Sequence, residues 1–297
     1  MPSFNNPNNK IDNIVKYIFF ISGLFSIIAL MIITLFLFNN GIPFIKKMGF
    51  TNFILETKWS PFTDPPMYGI LSMIITSIYV TFLSVTFGSI FGIFTALCLY
   101  KFVNKKIVPF ISQMVNLLAG IPSVIYGLFG LNILVPFIRD NISPTGIGYG
   151  ILSASIVLGI MILPTIISIS LDALIAIPQS YYEGALVLGA TEEEAVFKII
   201  LPSANRGILT SIILAIGRAI GETMAVIMII GGSAEFPKSL FQSVRTLTSN
   251  IAMGATELSG EPLEALIATG TVLFIFTLLL NITFSYIKTI FKNNLKG

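Results

Sequence analysis

The chain has 297 residues, 55% of them hydrophobic and only 10% charged, with a mean hydropathy of +0.91; a soluble domain could not cover so much apolar surface with so few charges, and long uncharged runs mark a chain whose solvent is lipid. The formal charge of +3 is small and dispersed, with no Lys/Arg-rich tract interleaved with aromatics, which sets nucleic acid aside as a partner class. With no histidine and one cysteine, Ser-His-Asp hydrolysis, histidine or cysteine metal sites, histidine proton relays and an internal disulfide are all excluded.

The first apolar run, residues 17–38, is too long for a signal-peptide core, and no small-residue cleavage site follows it. It is expected to remain as a spanning helix. Five further apolar runs follow at 70–100, 108–138, 146–171, 207–232 and 265–287, uncharged except for Arg218 and Glu222 in the run 207–232. Each offers the ~20 residues that cross a bilayer core, and none alternates as a membrane barrel strand does. The predicted class is therefore all-α: a polytopic membrane protein with six transmembrane helices. The second to fourth runs exceed one span, so tilts or kinks must absorb the surplus, with Pro109, Pro122, Pro136 and Pro164 as candidate kinks or ends. Gly88 and Gly92 form a small-xxx-small pair that reads as helix packing, and Cys98 reads as a small buried hydrophobe.

Orientation follows from the basic flanks. With six spans, Lys10, Lys16, Lys101, Lys105, Lys106, Lys198, Arg206, Lys288, Lys292 and Lys296 share one side. Lys46, Lys47, Lys58, Arg139, Lys238 and Arg245 fall on the other, offset by acids. Both termini are expected in the cytoplasm, with 39–69 and 233–264 as the larger external loops.

The longest cytoplasmic connection, 172–206, carries local signals of its own. Ser180-Tyr181-Tyr182-Glu183, after Pro178, fits a capping box, and Gly189 suits the left-handed position that ends a helix. Thr191-Glu192-Glu193-Glu194 fits a second capping box, with its acids where the helix dipole favours them, and Pro202 is expected to stop that helix. Ala185, Leu186, Leu188, Val196, Ile199 and Ile200 supply apolar faces. The caps alone leave open whether this helix–glycine–helix element merely connects two spans or does more.

Glu183-Gly184-Ala185, then Gly189, then Ile199-Ile200-Leu201-Pro202 resembles the EAA signature of ABC importer permeases. Gly184 stands where that signature has its first alanine, a change that costs ~1 kcal/mol of helix propensity. The resemblance implies that Glu183, Gly184, Ala185, Gly189, Ile199, Leu201 and Pro202 couple the chain to a cytoplasmic ATPase. No Gly-x-x-x-x-Gly-Lys-[Ser/Thr] motif is present, so ATP hydrolysis is expected on a separate chain and this one is expected not to be an enzyme.

Arg218 and Glu222 are the only charges well inside an apolar run. A lone charge at the bilayer centre costs ~2.5–3.5 kcal/mol on insertion scales, and on a continuous helix the i,i+4 spacing lets the two neutralise each other. Two roles stay open: a structural lock between helices, or a face of the translocation path where the arginine meets an anion. The surrounding string Gly217-Arg218-Ala219-Ile220-Gly221-Glu222-Thr223-Met224-Ala225-Val226 resembles the Arg-Ala-x-Gly-Glu-Thr-Met-Ala-Val motif of PstC-type permeases of phosphate importers. Leu118–Gly127, Ile162-Leu163-Pro164-Thr165-Ile166, Arg245-Thr246-Leu247-Thr248-Ser249 and Trp59-Ser60-Pro61 are similar to that family too.

The resemblance runs from the first span onward. It implies a type I ABC importer permease fold in a bacterial plasma membrane, with phosphate as cargo and Arg218, Glu222 and Thr223 on its path. It implies as partners a related PstA-type permease, two cytoplasmic ATPase subunits and an external phosphate-binding protein, with no cofactor or metal. The expected organisation is an N-terminal tail, first span and external loop over 1–69, a permease core over 70–290 with the coupling loop at 172–206, and a tail over 291–297. Trp59 with Pro61, Pro65 and Pro66 reads as a compact external loop or as a contact for the binding protein. Thr246, Thr248 and Ser249 read as solvated hydroxyls or as donors to phosphate. The alternatives are a permease for another oxyanion (sulfate, molybdate or tungstate) and an ion-coupled secondary carrier, the latter disfavoured because no internal repeat appears and Glu222 is its sole intramembrane acid.

Overall fold

A computed structural model describes residues 9–293. Lys296 and the two chain ends beyond that range lie outside the described residues, as do the side chains of Lys10, Lys288 and Lys292. Among the described residues, five helices are long and apolar enough to cross a membrane, and a pair bent by 64° makes a sixth if counted as one.

The first helix, α1 (Asn9–Met48), overshoots the expected run at both ends. From Ile14 onward most of its apolar side chains face outward, as lipid solvation requires. Its polar residues return their hydrogen bonds to the helix itself: Ser26 to the Ser22 carbonyl, Thr34 to Leu30 and Asn40 to Phe36. Near its C-terminal end, Gly41 leaves room for Thr271 of α14 (Glu261–Asn293), whose hydroxyl donates to the Leu37 carbonyl at 2.9 Å. Beyond α1 lies a small cap of α2 (Phe50–Leu55) and two two-residue antiparallel strands, β1 (Trp59–Ser60) and β2 (Met67–Tyr68). Tyr68 meets Trp59 and Phe44 edge-on, with ring centroids 5.8 and 5.4 Å apart. Trp59 is only 7% exposed, whereas Phe62, Pro65 and Pro66 beyond it in the loop are exposed.

The centre of the bundle is the crossing of α3 (Leu71–Lys101) with α7 (Ile151–Ile175). A Cβ on Gly88 would lie 2.8 Å from Ile162 Cγ1, and one on Gly92 would lie 2.7 Å from Ile166 Cγ2. Gly159 of α7 answers from the other side, where an added Cβ would lie 2.7 Å from Phe87 Cδ1. The glycine pair is thus a packing device, as its spacing predicts. Cys98, by contrast, is exposed, because Ala96, Leu97 and Leu99 take the inward face of α3.

The run 108–138 does not form one helix. It divides into α4 (Val108–Ala119), α5 (Ser123–Phe129), a π-helical turn over Gly130–Leu134 and α6 (Val135–Asn141). Pro122 causes the break: it has no N–H to give Leu118, and its extended backbone starts a new helix. The Leu118 carbonyl, which accepts the Ile121 N–H at 3.3 Å, also accepts the Tyr126 hydroxyl at 2.8 Å. Pro136 follows the π turn, whose wider winding accommodates the proline without ending the helix.

After α7, which runs through Pro164 unbroken, the chain forms α8 (Gln179–Val187), α9 (Glu192–Ala195), a π turn over Val196–Ile200 and α10 (Leu201–Ser203). It then bends into α11 (Asn205–Gly221), α12 (Met224–Ile229) and α13 (Leu247–Gly254). Helix α11 closes on α7 where Gly207 meets Ala173 and where the buried Ser170 and Ser211 hydroxyls lie 3.0 Å apart.

Residues 233–264 are not a solvated external loop. Helix α13 folds back against α14, α12 and α3, and the Leu247 N–H donates to Ser77 Oγ of α3 at 3.0 Å. Thr246, Thr248 and Ser249 are buried and bond to one another in a capping box and its flank.

The α3–α7 crossing yields a prediction. Gly92→Val should lower unfolding stability by about 1–3 kcal/mol through overpacking, read as thermal unfolding in detergent, and Ile166→Ala in the same chain should recover part of that loss.

Candidate functional site

Two groups of residues converge on named features of this bundle: a break in the fifth apolar run and a hairpin over 179–203. The run 207–232 does not continue as a helix through Glu222. Helix α11 ends at Gly221, and Glu222 is extended, with ψ 131°. Glycine is the weakest helix former short of proline, and two of them, Gly217 and Gly221, precede this point.

The break separates Arg218 from Glu222, so the expected i,i+4 ion pair does not form. Arg218 Nη1 instead donates to Thr165 Oγ1 of α7 at 3.3 Å. Among the described residues no ion pair includes Arg218. Glu222 turns the other way: its Oε1 accepts the Ala225 N–H at 3.1 Å, in the first turn of α12. A carboxylate there faces the positive end of the helix dipole. The Glu222 carbonyl, orphaned by the break, accepts the Thr248 hydroxyl at 3.0 Å, and Thr223 Oγ1 donates to the Gly221 carbonyl at 3.3 Å.

The face that carries Arg218 is open in this chain. A Cβ added at Gly217 or at Gly221 would meet nothing within 4 Å, and Leu214 and Met224 beside them are exposed. One turn along α7 from Thr165, Ser168 donates to Asn116 Oδ1 of α4 at 3.0 Å. The structure thus joins three of the stretches singled out in the sequence: Arg218 of the arginine string bonds to the Leu-Pro-Thr stretch of α7, and Gly127 of the Leu118–Gly127 stretch packs against Ala225 of the same arginine string.

The sequence marks Arg245 as an outer flank charge at the head of a family-like stretch, and the structure makes it a packing residue. Its Nε donates to the Gly232 carbonyl at 2.9 Å and its Nη1 to Asn250 Oδ1 at 3.0 Å. Burial lowers its pKa from the ordinary arginine value, and the guanidinium remains charged. Gly231 and Gly232 have positive φ, so they present that carbonyl to a residue far along the chain, which leaves no local spacing signal.

The hairpin keeps one of its two predicted caps. Pro178 is the N-cap of α8, with no side-chain cap bond. This places Ser180 inside the first turn, where it cannot serve as a cap. The other end follows expectation. Gly189 has φ +91°, the Ala190 N–H donates to the Ala185 carbonyl at 3.1 Å, and the Gly189 N–H donates to Leu186 at 3.0 Å. These are the two bonds of a Schellman motif. Thr191 and Glu194 then form the second capping box, each bond 3.2 Å, and Glu194 pairs with Lys198 at 2.8 Å.

The two arms differ in burial. In the second arm Ala195, Val196 and Ile200 are buried, while Ile199 and Pro202 are exposed and Leu201 is half-buried. In the first arm only Ala185 is buried, and Glu183, Gly184 and Gly189 are exposed. Pro202 does not stop the second arm at once; the chain runs on to Ser203 before the bend, the preceding π turn absorbing the missing N–H. At the tip Val187 and Leu188 are 88% and 89% exposed. Large apolar side chains presented together at a hairpin tip mark a surface that another molecule covers.

The family described as "Binding-protein-dependent transport system inner membrane component" matches residues 88–297. The "Probable ABC transporter permease protein YqgH" of Bacillus subtilis is 36% identical over 271 residues, 90% of this chain and 87% of its own length. The "Phosphate transport system permease protein PstC" of Haemophilus influenzae is 36% identical over 255 residues, 78% and 79% of the two chains. A "Probable phosphate transport system permease protein PstC" of Methanocaldococcus jannaschii is 33% identical over 280 residues, 88% of each. In fold, the chain is similar to the MetNI methionine ABC transporter, with TM-score 0.60 and 21% identity over 74% of this chain and 95% of that one. It is likewise similar to a bacterial alginate ABC transporter, with TM-score 0.60 and 17% identity over 94% and 96%.

The separation of the two charges is testable by a double-mutant cycle. Arg218→Met and Glu222→Gln should change stability additively, within about 0.5 kcal/mol; a direct ion pair would show a larger coupling term.

Proposed function

The chain belongs to the family of binding-protein-dependent transport system inner membrane components, and from that premise we propose that it is the permease subunit of an ATP-driven phosphate importer. It catalyses no covalent step. It forms part of a path that opens to alternate sides of the membrane, together with a PstA-type permease, two cytoplasmic ATPase subunits and an external phosphate-binding protein. Both termini face the cytoplasm in this reading, the permease core spans 70–290, and the 1–69 and 291–297 segments flank it.

The observation that carries the anion reading is Arg218: a guanidinium inside an apolar span, on an open face, with no carboxylate paired to it among the described residues. Such a charge in a membrane segment is expensive unless it faces a path or a partner. A planar fork of N–H donors suits a tetrahedral oxyanion. Thr165 orients the arginine, and Glu222, turned to the α12 terminus, leaves it free for cargo. Thr223 sits at the same break. That relatives of this chain bear the name phosphate permease selects phosphate among oxyanions.

The exposed Val187–Leu188 tip supports the second half of the proposal. Glu183, Gly184, Ala185 and Gly189 shape the arm that enters a groove on the ATPase. Ile199, Leu201 and Pro202 carry its movement toward α11.

The reading is tested with the four components reconstituted in vesicles. Phosphate should accumulate only when ATP is present, and sulfate, molybdate and tungstate should compete poorly; accumulation without ATP would overturn it. Arg218→Gln should reduce uptake at least tenfold while the complex still assembles, and uptake at the unmodified level would remove Arg218 from the path. Gly189→Val, which strains a φ +91° position, should leave ATP hydrolysis running while phosphate uptake falls, measured as the ratio of the two rates.

A further inference from the structure

Lys101 is the last residue of α3, and its ammonium group touches both arms of the hairpin. It donates a hydrogen bond to the Tyr182 hydroxyl of α8 and sits 4.2 Å from the centroid of the Tyr182 ring. It also pairs with Glu192 Oε2, at the start of α9, at 3.1 Å. One cation therefore ties the end of a membrane-crossing helix to the segments before and after the Gly189 turn. Its side chain is the more enclosed member of the ion pair, 23% exposed against 62% for Glu192.

Apolar packing shares this work: Tyr182 of the first arm and Val196 and Ile200 of the second belong to one apolar cluster with Ala96, Leu97 and Leu99 of α3. Beside the tie lies a cavity of about 490 Å³, walled by Leu99, Val108, Leu171, Ile175 and Tyr182. Within α8, Ala185 is the one buried residue. The first arm thus meets α3 through the Tyr182 ring and the polar contacts of Lys101 beside a hollow, a joint that can transmit a pull yet permits the arm to roll. A partly exposed ion pair adds little to stability, so its use lies in fixing direction. Helix α3 in turn is locked to α7 through Gly88 and Gly92, and α7 carries Thr165, the partner of Arg218.

We propose that Lys101 is a positioning residue for coupling: it makes both arms of the hairpin move as one unit with the cytoplasmic end of α3. This rests on the coupling role of the hairpin given above. A push on the exposed Val187–Leu188 tip reaches the core by two routes. One runs through the second arm into α11, and the other through Lys101 into α3 and α7. Loss of the second route leaves the hairpin docked and the ATPase active, while the α7 side of the path lags behind.

The test uses the full transporter in vesicles, reading phosphate taken up per ATP hydrolysed alongside the yield of assembled complex. Lys101→Met should leave assembly unchanged and cut phosphate per ATP by about fivefold or more, the scale of a coupling between sites. Lys101→Arg, which keeps the charge and the ring contact, should retain most of the ratio. Tyr182→Phe, which keeps the ring and loses the hydroxyl, should fall between them. The charge swap Lys101→Glu with Glu192→Lys should exceed Lys101→Glu alone. A purely structural role would lower assembly and leave the ratio intact; that result, or an unmodified ratio in Lys101→Met, overturns the inference. Absence of ATP-dependent uptake in the unmodified transporter would overturn the importer reading, and this inference with it.

Discussion

Backbone groups that cannot return their hydrogen bonds to water decide where a bundle in lipid is allowed to bend. This chain bends its apolar runs at Pro122 and at Glu222, and each bend comes with a side-chain hydroxyl that donates to a carbonyl at the break. At Pro122 the Tyr126 hydroxyl takes the Leu118 carbonyl, and at Glu222 the Thr248 hydroxyl takes the Glu222 carbonyl. At Glu222 an unmet carbonyl would cost about 1–3 kcal/mol, a large share of the stability of an ordinary domain. The satisfied breaks are therefore fixed features. On the α11 side of the second break, Arg218 reaches Thr165 of α7 at 3.3 Å.

The same constraint redistributes charge. On an unbroken helix Glu222 would lie beside Arg218 and cancel it. The extended turn at Glu222 gives its carboxylate to the N-terminus of α12, where peptide dipoles offset it. Arg218 meets a hydroxyl instead. A neutral pair would have been cheaper for the fold, at the ~2.5–3.5 kcal/mol per central charge of insertion scales. That the cheaper arrangement is absent is physical support for an anion as the missing partner.

Much of this was legible in the chain itself. The span 71–101 falls within a residue of its uncharged run, because Lys101 and the polar residues after it mark its end. The Gly189 turn and the Thr191 box were legible because both are local: a left-handed glycine and a capping pair need only neighbours three or four residues away. Hydropathy fails where apolar chain is not helix. The fourth span starts at Ile151, not 146, because Gly146 and Gly150 take positive φ, and a Cβ on Gly150 would strike the Gln242 carbonyl at 2.6 Å. The Ser180 box does not form because Pro178 starts the helix earlier than the box requires. The bonds from Thr248 to Glu222 and from Arg245 to Gly232 join residues distant in sequence, so no spacing announces them. Cys98 shows the same limit, since an apolar run alone does not say which helix face meets lipid.

The hairpin and the Arg218 face are parts of one continuous piece of chain. The second arm is anchored by Ala195, Val196 and Ile200, bends by 64° past Pro202, and continues as α11 to Arg218. Roughly thirteen residues of helix at ~1.5 Å each put the arginine about 20 Å from that bend. A rigid helix of that length turns a small rotation at its base into a displacement of several ångströms at its far end. The π turn before Pro202 is where such a rotation costs least, since its wider winding already departs from the α-helical ladder. At the far end Gly217 and Gly221 leave the helix without packing restraint on the Arg218 face. The first arm, with its exposed tip, has no comparable anchorage of its own. In the proposed mechanism, then, the buried second arm acts as the lever and the exposed first arm as its handle, and the bend at Pro202 sets how far Arg218 travels.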